Sequence, residues 1–177
     1  MTRLPLALAA MAVPLTTHAA DIHILTTGAS RAVLSDLAPG IERETGHHLV
    51  VQNETAGAVV PKVRAGEKFD LVVVTPAGAK SLGTLVGEAT PLAKVGIGVG
   101  VKIGAPNPPI ATQADIRATG HGLTVLGPLP ASIQNYPLYV GVVPTTAANQ
   151  LAATDILARL AAPNAQAALQ AHGMETP

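Results

Sequence analysis

Thr26-Thr27-Gly28-Ala29-Ser30 sets three hydroxyls and a glycine between an apolar run, Ile22 to Leu25, and the start of a helical pattern. That combination suits an anion. The first N–H groups of a helix have no acceptor inside it and the helix dipole is positive there, so hydroxyls and amides at such a turn can donate together to an oxyanion. The arrangement recurs where Val50-Val51-Gln52-Asn53-Glu54 runs into Thr55-Ala56-Gly57-Ala58, after which Val59, Val60 and Val63 follow at helical spacing. The candidate ligand donors are the hydroxyls of Thr27, Ser30 and Thr55 and the amides of Ala29, Ala56 and Gly57. Serine and threonine also cap helices with no ligand bound, so capping stands beside binding as a role for each hydroxyl.

Nothing else in the chain assembles chemistry. There is no cysteine, no Ser-His-Asp order at a nucleophile elbow, no carboxylate pair on one element and no phosphate-cradling glycine loop, so no catalytic residue and no cofactor is expected. His23, His47, His48, His121 and His172 are scattered, and adjacent His47 and His48 would point to opposite faces of a strand, so no metal site is expected. Asp70, at the start of an apolar run, reads as structural, and Arg31 as a solvated residue of a first helical turn. The 177 residues carry zero net charge with 12% charged residues, which excludes a nucleic-acid footprint and a polybasic membrane patch. Aromatic residues are 2%, too few to build stacking faces for sugars or bases, so the expected ligand is small and polar.

The elements that must position these groups are legible in outline. Residues 1–20 have the charge, apolar core and small-residue exit of a secretory signal, with cleavage expected near Ala19 or Ala20. Their apolar core is shorter than the roughly 18 to 20 residues that span a bilayer, so no membrane span is expected after cleavage. Ile22–Leu25 reads as a strand, Ser30–Thr45 as an amphipathic helix stopped by Gly46, Leu49–Val51 as a strand, Ala58–Ala65 as a helix, and Asp70–Val74 as a strand buried on both faces. Such alternation implies right-handed βαβ units. Leu92–Ile103 reads as one strand with glycines along one face, Leu123–Leu126 and Leu138–Val143 as further strands, and Ala147–Leu160 and Pro163–Ala171 as helices. Thr112–Ala118 reads as one or two helical turns, and Gly120-His121-Gly122 as a break.

The order of these parts resembles the periplasmic solute-binding proteins of ABC transporters, most closely the molybdate-binding branch. The likeness is carried by Thr26-Thr27-Gly28-Ala29-Ser30 with Leu37-Ala38-Pro39, by Arg64-Ala65-Gly66-Glu67 leading into Asp70-Leu71-Val72-Val73, and by the tail from Gly127-Pro128-Leu129-Pro130 through Ile133-Gln134-Asn135-Tyr136 to Ala171-His172-Gly173-Met174-Glu175. The resemblance implies a type II-like periplasmic binding protein fold, in which α/β lobes are joined by crossover strands and an oxyanion sits between helix N-termini and hydroxyls. It implies a periplasmic protein whose partners are molybdate or tungstate and a transporter permease. Only Thr119-Gly120-His121-Gly122 separates segments between which that family builds its second lobe. The fold expected is therefore one three-layer α/β lobe with a mainly parallel sheet, formed by residues 21–104 and 123–177. Residues 105–122 form a shortened excursion, and the second lobe is largely absent. Thr55-Ala56-Gly57 stands where the molybdate binders carry serines, and Tyr136 and Tyr139, on the returning crossover, line the cleft or simply pack. The alternative is a one-lobed remnant that acts as an interaction or sensor module without transport.

Overall fold

The first strand, β1 (Asp21–Thr27), leads directly into α1 (Gly28–Thr45), which ends where Gly46 takes the left-handed conformation at φ 72° and donates its N–H to the Glu42 carbonyl. A residue with a Cβ resists that conformation, which is why the helix stops at a glycine. These are coordinates of a computed structural model, which describes residues 19–104, 106 and 123–177. The chain continues through β2 (His48–Glu54), α2 (Ala56–Arg64), β3 (Leu71–Val74), α3 (Pro76–Leu82) and a short 3₁₀ turn at Gly83–Leu85. It then forms β4 (Thr90–Val95), β5 (Gly98–Lys102), β6 (Leu123–Pro128), β7 (Leu138–Val142), α4 (Gln150–Ala161), a 3₁₀ turn at Pro163–Ala165, α5 (Gln166–Ala171) and β8 (Met174–Glu175).

Six strands form one sheet in the order β2-β1-β3-β7-β4-β8. The parallel neighbours are β1 with β2 and β1 with β3, while β7 runs antiparallel to both β3 and β4, and β8 antiparallel to β4. Four strands, β1 to β4, thus share one direction, and the sheet is mainly parallel as expected. It is not built from βαβ units throughout, because β7 returns against the grain between β3 and β4. Alternate side chains of each buried strand face opposite layers. Ile22, Ile24, Leu71 and Val73 pack with Leu34 and Ile41 of α1 and Ile156, Leu157 and Leu160 of α4. On the other face, Leu25, Val72 and Val74 pack with Val59 and Val63 of α2 and Ala79 and Leu82 of α3. Helices therefore cover both faces, which gives the expected three layers.

Several expected boundaries move for identifiable reasons. Helix α1 begins at Gly28 rather than Ser30 and α2 at Ala56 rather than Ala58, because the threonine before each, not the residue after the glycine, takes the extended cap conformation. Helix α3 and strand β8 have no counterpart in the sequence reading; seven and two residues are too short for a periodicity to emerge. The expected strand Leu92–Ile103 is two strands broken at Gly96 and Ile97, the second of which pairs with β6 as a two-stranded ribbon. Residues 1–18 of the expected signal, the turns expected at Thr112–Ala118 and the break at Gly120–Gly122 lie outside the described residues. Among the described residues, no helix is long and apolar enough to cross a membrane.

Packing is tightest where β7 passes under α4. A Cβ on Gly141 would clash with Leu157 Cδ1 and stand 3.3 Å from Leu92 Cδ1, both in the buried core. Gly141→Ala is expected to lower unfolding free energy by about 1–3 kcal/mol through overpacking, read as a lower urea midpoint at unchanged slope.

Candidate functional site

Strand order places three helix starts along one edge. Connection β1-α1-β2 leads away from β1 on one side and β3-α3-β4 leads away from β3 on the other, over opposite faces, so the carboxyl ends of β1 and β3 flank the point where the order reverses. Open α/β sheets bind ligands at that point, because no connection crosses it. Thr27 pairs in register with Glu54, so Thr27 and Thr55 end adjacent strands about 5 Å apart. The register Leu25 to Val72, continued, brings Val74 beside Thr27 and Thr75 to the same edge.

Each of these threonines occupies the cap of the helix that follows, with extended backbone angles. Only one uses its hydroxyl as a cap. Thr75 Oγ1 accepts from Gly78 N–H at 3.3 Å, whereas the hydroxyls of Thr27 and Thr55 make no cap bond. Thr27 is 5% exposed and its Oγ1 is buried with no hydrogen-bond partner. Leaving a buried hydroxyl unpaired costs about 1–3 kcal/mol, which makes its position, at the start of an 18-residue helix, a point that calls for a partner. Gly28, Ala29, Thr55, Ala56 and Gly57 are all exposed, and a Cβ built on Gly28 or Gly57 would meet nothing within 4 Å. The amides of Gly28, Ala29 and Ser30 are the first of α1, and those of Ala56 and Gly57 the first of α2; by position none has a carbonyl within its helix to donate to.

The expected residues therefore separate. Thr27, Ala29, Thr55, Ala56 and Gly57 gather at one edge. Ser30, the third residue of α1, is 7% exposed and lines a cavity of about 20 Å³ with Val33, Leu34, Val73 and Met174, so its side chain lies against the apolar layer while its amide stays in the first turn. Tyr136 is half exposed at the same sheet edge, just before β7 and so two strand positions from β1, where its ring packs against Gly96 and lies 5.9 Å from Lys94 Nζ. Sequence reasoning missed Thr75, although Thr75-Pro76 after an apolar strand carries a usable signal: a capping hydroxyl followed by proline at the first helical position.

Among the described residues, one carboxylate stands next to Thr55. Glu54 precedes Thr55 and pairs with Lys62 at 3.3 Å, and Lys62 also reaches Glu67 at 3.1 Å. The hydrogen bond to Glu67, then that to Glu54, raises the Lys62 pKa against the lowering effect of burial. Its ammonium offsets the negative charge beside Thr55. Arg31 is exposed. Asp70 sits at the opposite edge, 3% exposed, where its carboxylate accepts from the N–H groups of His23 at 3.0 Å and Asn149 at 2.9 Å. It is a structural tie between β1, β3 and the start of α4. Among the described residues no three His, Asp or Glu side chains converge on one point.

The sequence matches the family described as bacterial extracellular solute-binding protein over residues 22–120 and 110–175. The chain belongs to that family. Solved structures share the solute-binding fold at low identity. The periplasmic molybdate-binding protein of Azotobacter vinelandii superposes with a TM-score of 0.68 at 14% identity, covering 88% of this chain and 99% of that one. The sulfate-binding protein of Mycobacterium tuberculosis gives 0.68 at 13%, covering 90% and 87%. The tungstate-binding protein of Desulfovibrio alaskensis gives 0.64 at 13%, covering 90% and 99%. No curated protein matches the sequence.

Asp70→Ala strands two backbone donors and is expected to cost this solute-binding protein about 2–3 kcal/mol of stability. Because Asp70 lies at the edge of the sheet far from the three helix starts, solute affinity of the folded variant should equal that of the parent, as measured by denaturation and titration on the same samples.

Proposed function

We propose that this protein is the periplasmic binding component of an ABC transporter, holding a small tetrahedral oxyanion such as molybdate or tungstate at the edge formed by Thr27, Ala29, Ser30, Thr55, Ala56 and Gly57. The observation that carries this reading is the buried, unpartnered Thr27 hydroxyl at the cap of α1, with the free amides of two helices beside it. A tetrahedral dianion presents acceptors in several directions, and neutral donors at two helix starts can replace its water shell without a full countercharge. Binding is passive: the hydroxyls and amides donate, and no bond of the ligand changes. Family membership supports a solute-binding role, and neighbours of this fold that hold molybdate, tungstate and sulfate support an oxyanion. The role of export through residues 1–20, the partnership with a permease and the single-lobed domain plan belong to the same proposal.

Isothermal titration with molybdate, tungstate, sulfate and phosphate tests it. Saturable heat is expected for molybdate or tungstate, and Thr27→Val, which removes only the hydroxyl, should weaken it about tenfold, the equivalent of about 1.4 kcal/mol. A folded parent that gives no heat with any of the four anions would sink the binding reading and favour the one-lobed remnant.

Charge at the edge gives a second outcome. Glu54→Gln removes the carboxylate next to Thr55 and should tighten anion binding several-fold at low salt, whereas Lys62→Met leaves that carboxylate uncompensated and should weaken it; both effects should shrink as ionic strength rises.

A further inference from the structure

Gly96 and Ile97 belong to neither β4 nor β5, so the main-chain ladder is interrupted where the ribbon leaves the sheet. On one side the last main-chain bond is from Val95 N–H to the Pro137 carbonyl at 3.0 Å; on the other, Leu129 N–H donates to the Ile97 carbonyl at 3.1 Å. The gap is filled by one side chain. Gln134 Oε1 accepts from Ile97 N–H at 3.1 Å and from Asn135 N–H at 2.9 Å, while its Nε2 donates to the Ile97 carbonyl at 3.1 Å. A planar amide offers a donor and an acceptor side by side, as a neighbouring strand would, and the two N–H groups facing Oε1 fix which way round it sits.

We infer that Gln134 is the positioning residue that fixes the angle between the β5–β6 ribbon and the sheet, by standing in for the missing strand at Ile97. A two-stranded ribbon has little stability of its own and must take its direction from what holds its base. Gly96 is part of the same joint: a Cβ there would stand 3.3 Å from Tyr136 Cε1, so the glycine lets the ring close over the break. Because β4 runs parallel to β1, the ribbon departs from the edge that carries Thr27, Thr55 and Thr75, and its angle determines what it holds beside them. The inference is independent of which solute binds, since every readout below is made without one.

Hydrogen exchange on the full chain tests it with Gln134→Ala and Gln134→Glu. In Q134A, exchange at the Ile97 amide should rise about tenfold, the change expected from losing one to two ordinary hydrogen bonds, while amides of β1 to β3 keep their protection. In Q134E the ionised carboxylate still accepts from Ile97 N–H but faces the Ile97 carbonyl without a proton; below its usual pKa of about 4.3 it regains a donor. Protection at Leu129, corrected for intrinsic rate and referred to the parent at each pH, should therefore be low at pH 7 and recover at acid pH. The angle is read separately. The chain has no cysteine, so spin labels at R43C and K102C, both exposed, report one lobe-to-ribbon distance, narrow in the parent and broadened in Q134A. Parent-like Ile97 exchange and an unchanged distance width in Q134A overturn the inference. If Q134A does not fold, Q134E decides alone: the same corrected protection at both pH values overturns it.

Discussion

A helix cannot satisfy its own first N–H groups, and this fold brings two such unsatisfied starts together beside a hydroxyl that has no partner. The rest of the architecture serves that placement. Strand β1 lies between β2 and β3, which forces the connecting helices α1 and α2 onto opposite faces, and α1 and α3 depart to opposite sides of the gap between the carboxyl ends of β1 and β3. Buried Ile22, Ile24 and Leu25 hold β1 rigidly enough that Thr27 is fixed at the surface of a packed core rather than on a loose loop. The opposite edge is tied by Asp70, whose two backbone bonds join the start of β3 to β1 and to the start of α4.

The edge carries little charge of its own, in keeping with a chain of zero net charge. Glu54 is paired with Lys62, which it shares with Glu67, and the backbone dipoles of the helix starts add positive potential beside them. A solute held there, as proposed, would be discriminated by the placement of donors, so that small shifts of backbone would change what is accepted. The joint at Gly96 and Ile97 lies on the same edge, where one glutamine amide substitutes for strand pairing.

Sequence patterns reveal the parts governed by local rules. A short apolar run marks β1 and a continuous one β3, Gly46 ends α1, and Thr27 and Thr55 stand before helices because hydroxyls and small residues favour helix starts. Asp70 is correctly read as structural. What the pattern hides depends on distant partners. The antiparallel insertion of β7 between β3 and β4 follows from no local signal, since an apolar run pairs equally well in either direction. Ser30 has the right residue type in the right turn, yet the helix begins earlier and rotates its side chain towards the apolar layer, leaving only its amide at the edge. Gln134 is an ordinary polar residue in sequence and becomes a joint only because a strand breaks at Ile97, far along the chain.

Crystals grown with tungstate and measured at the tungsten absorption edge would locate the solute relative to the paired helix starts at Thr27 and Thr55. One strong anomalous peak is expected within hydrogen-bond reach of Thr27 Oγ1 and of the first amides of α1 and α2. A peak elsewhere on the molecule, or none at saturating tungstate in well-ordered crystals, would contradict that placement.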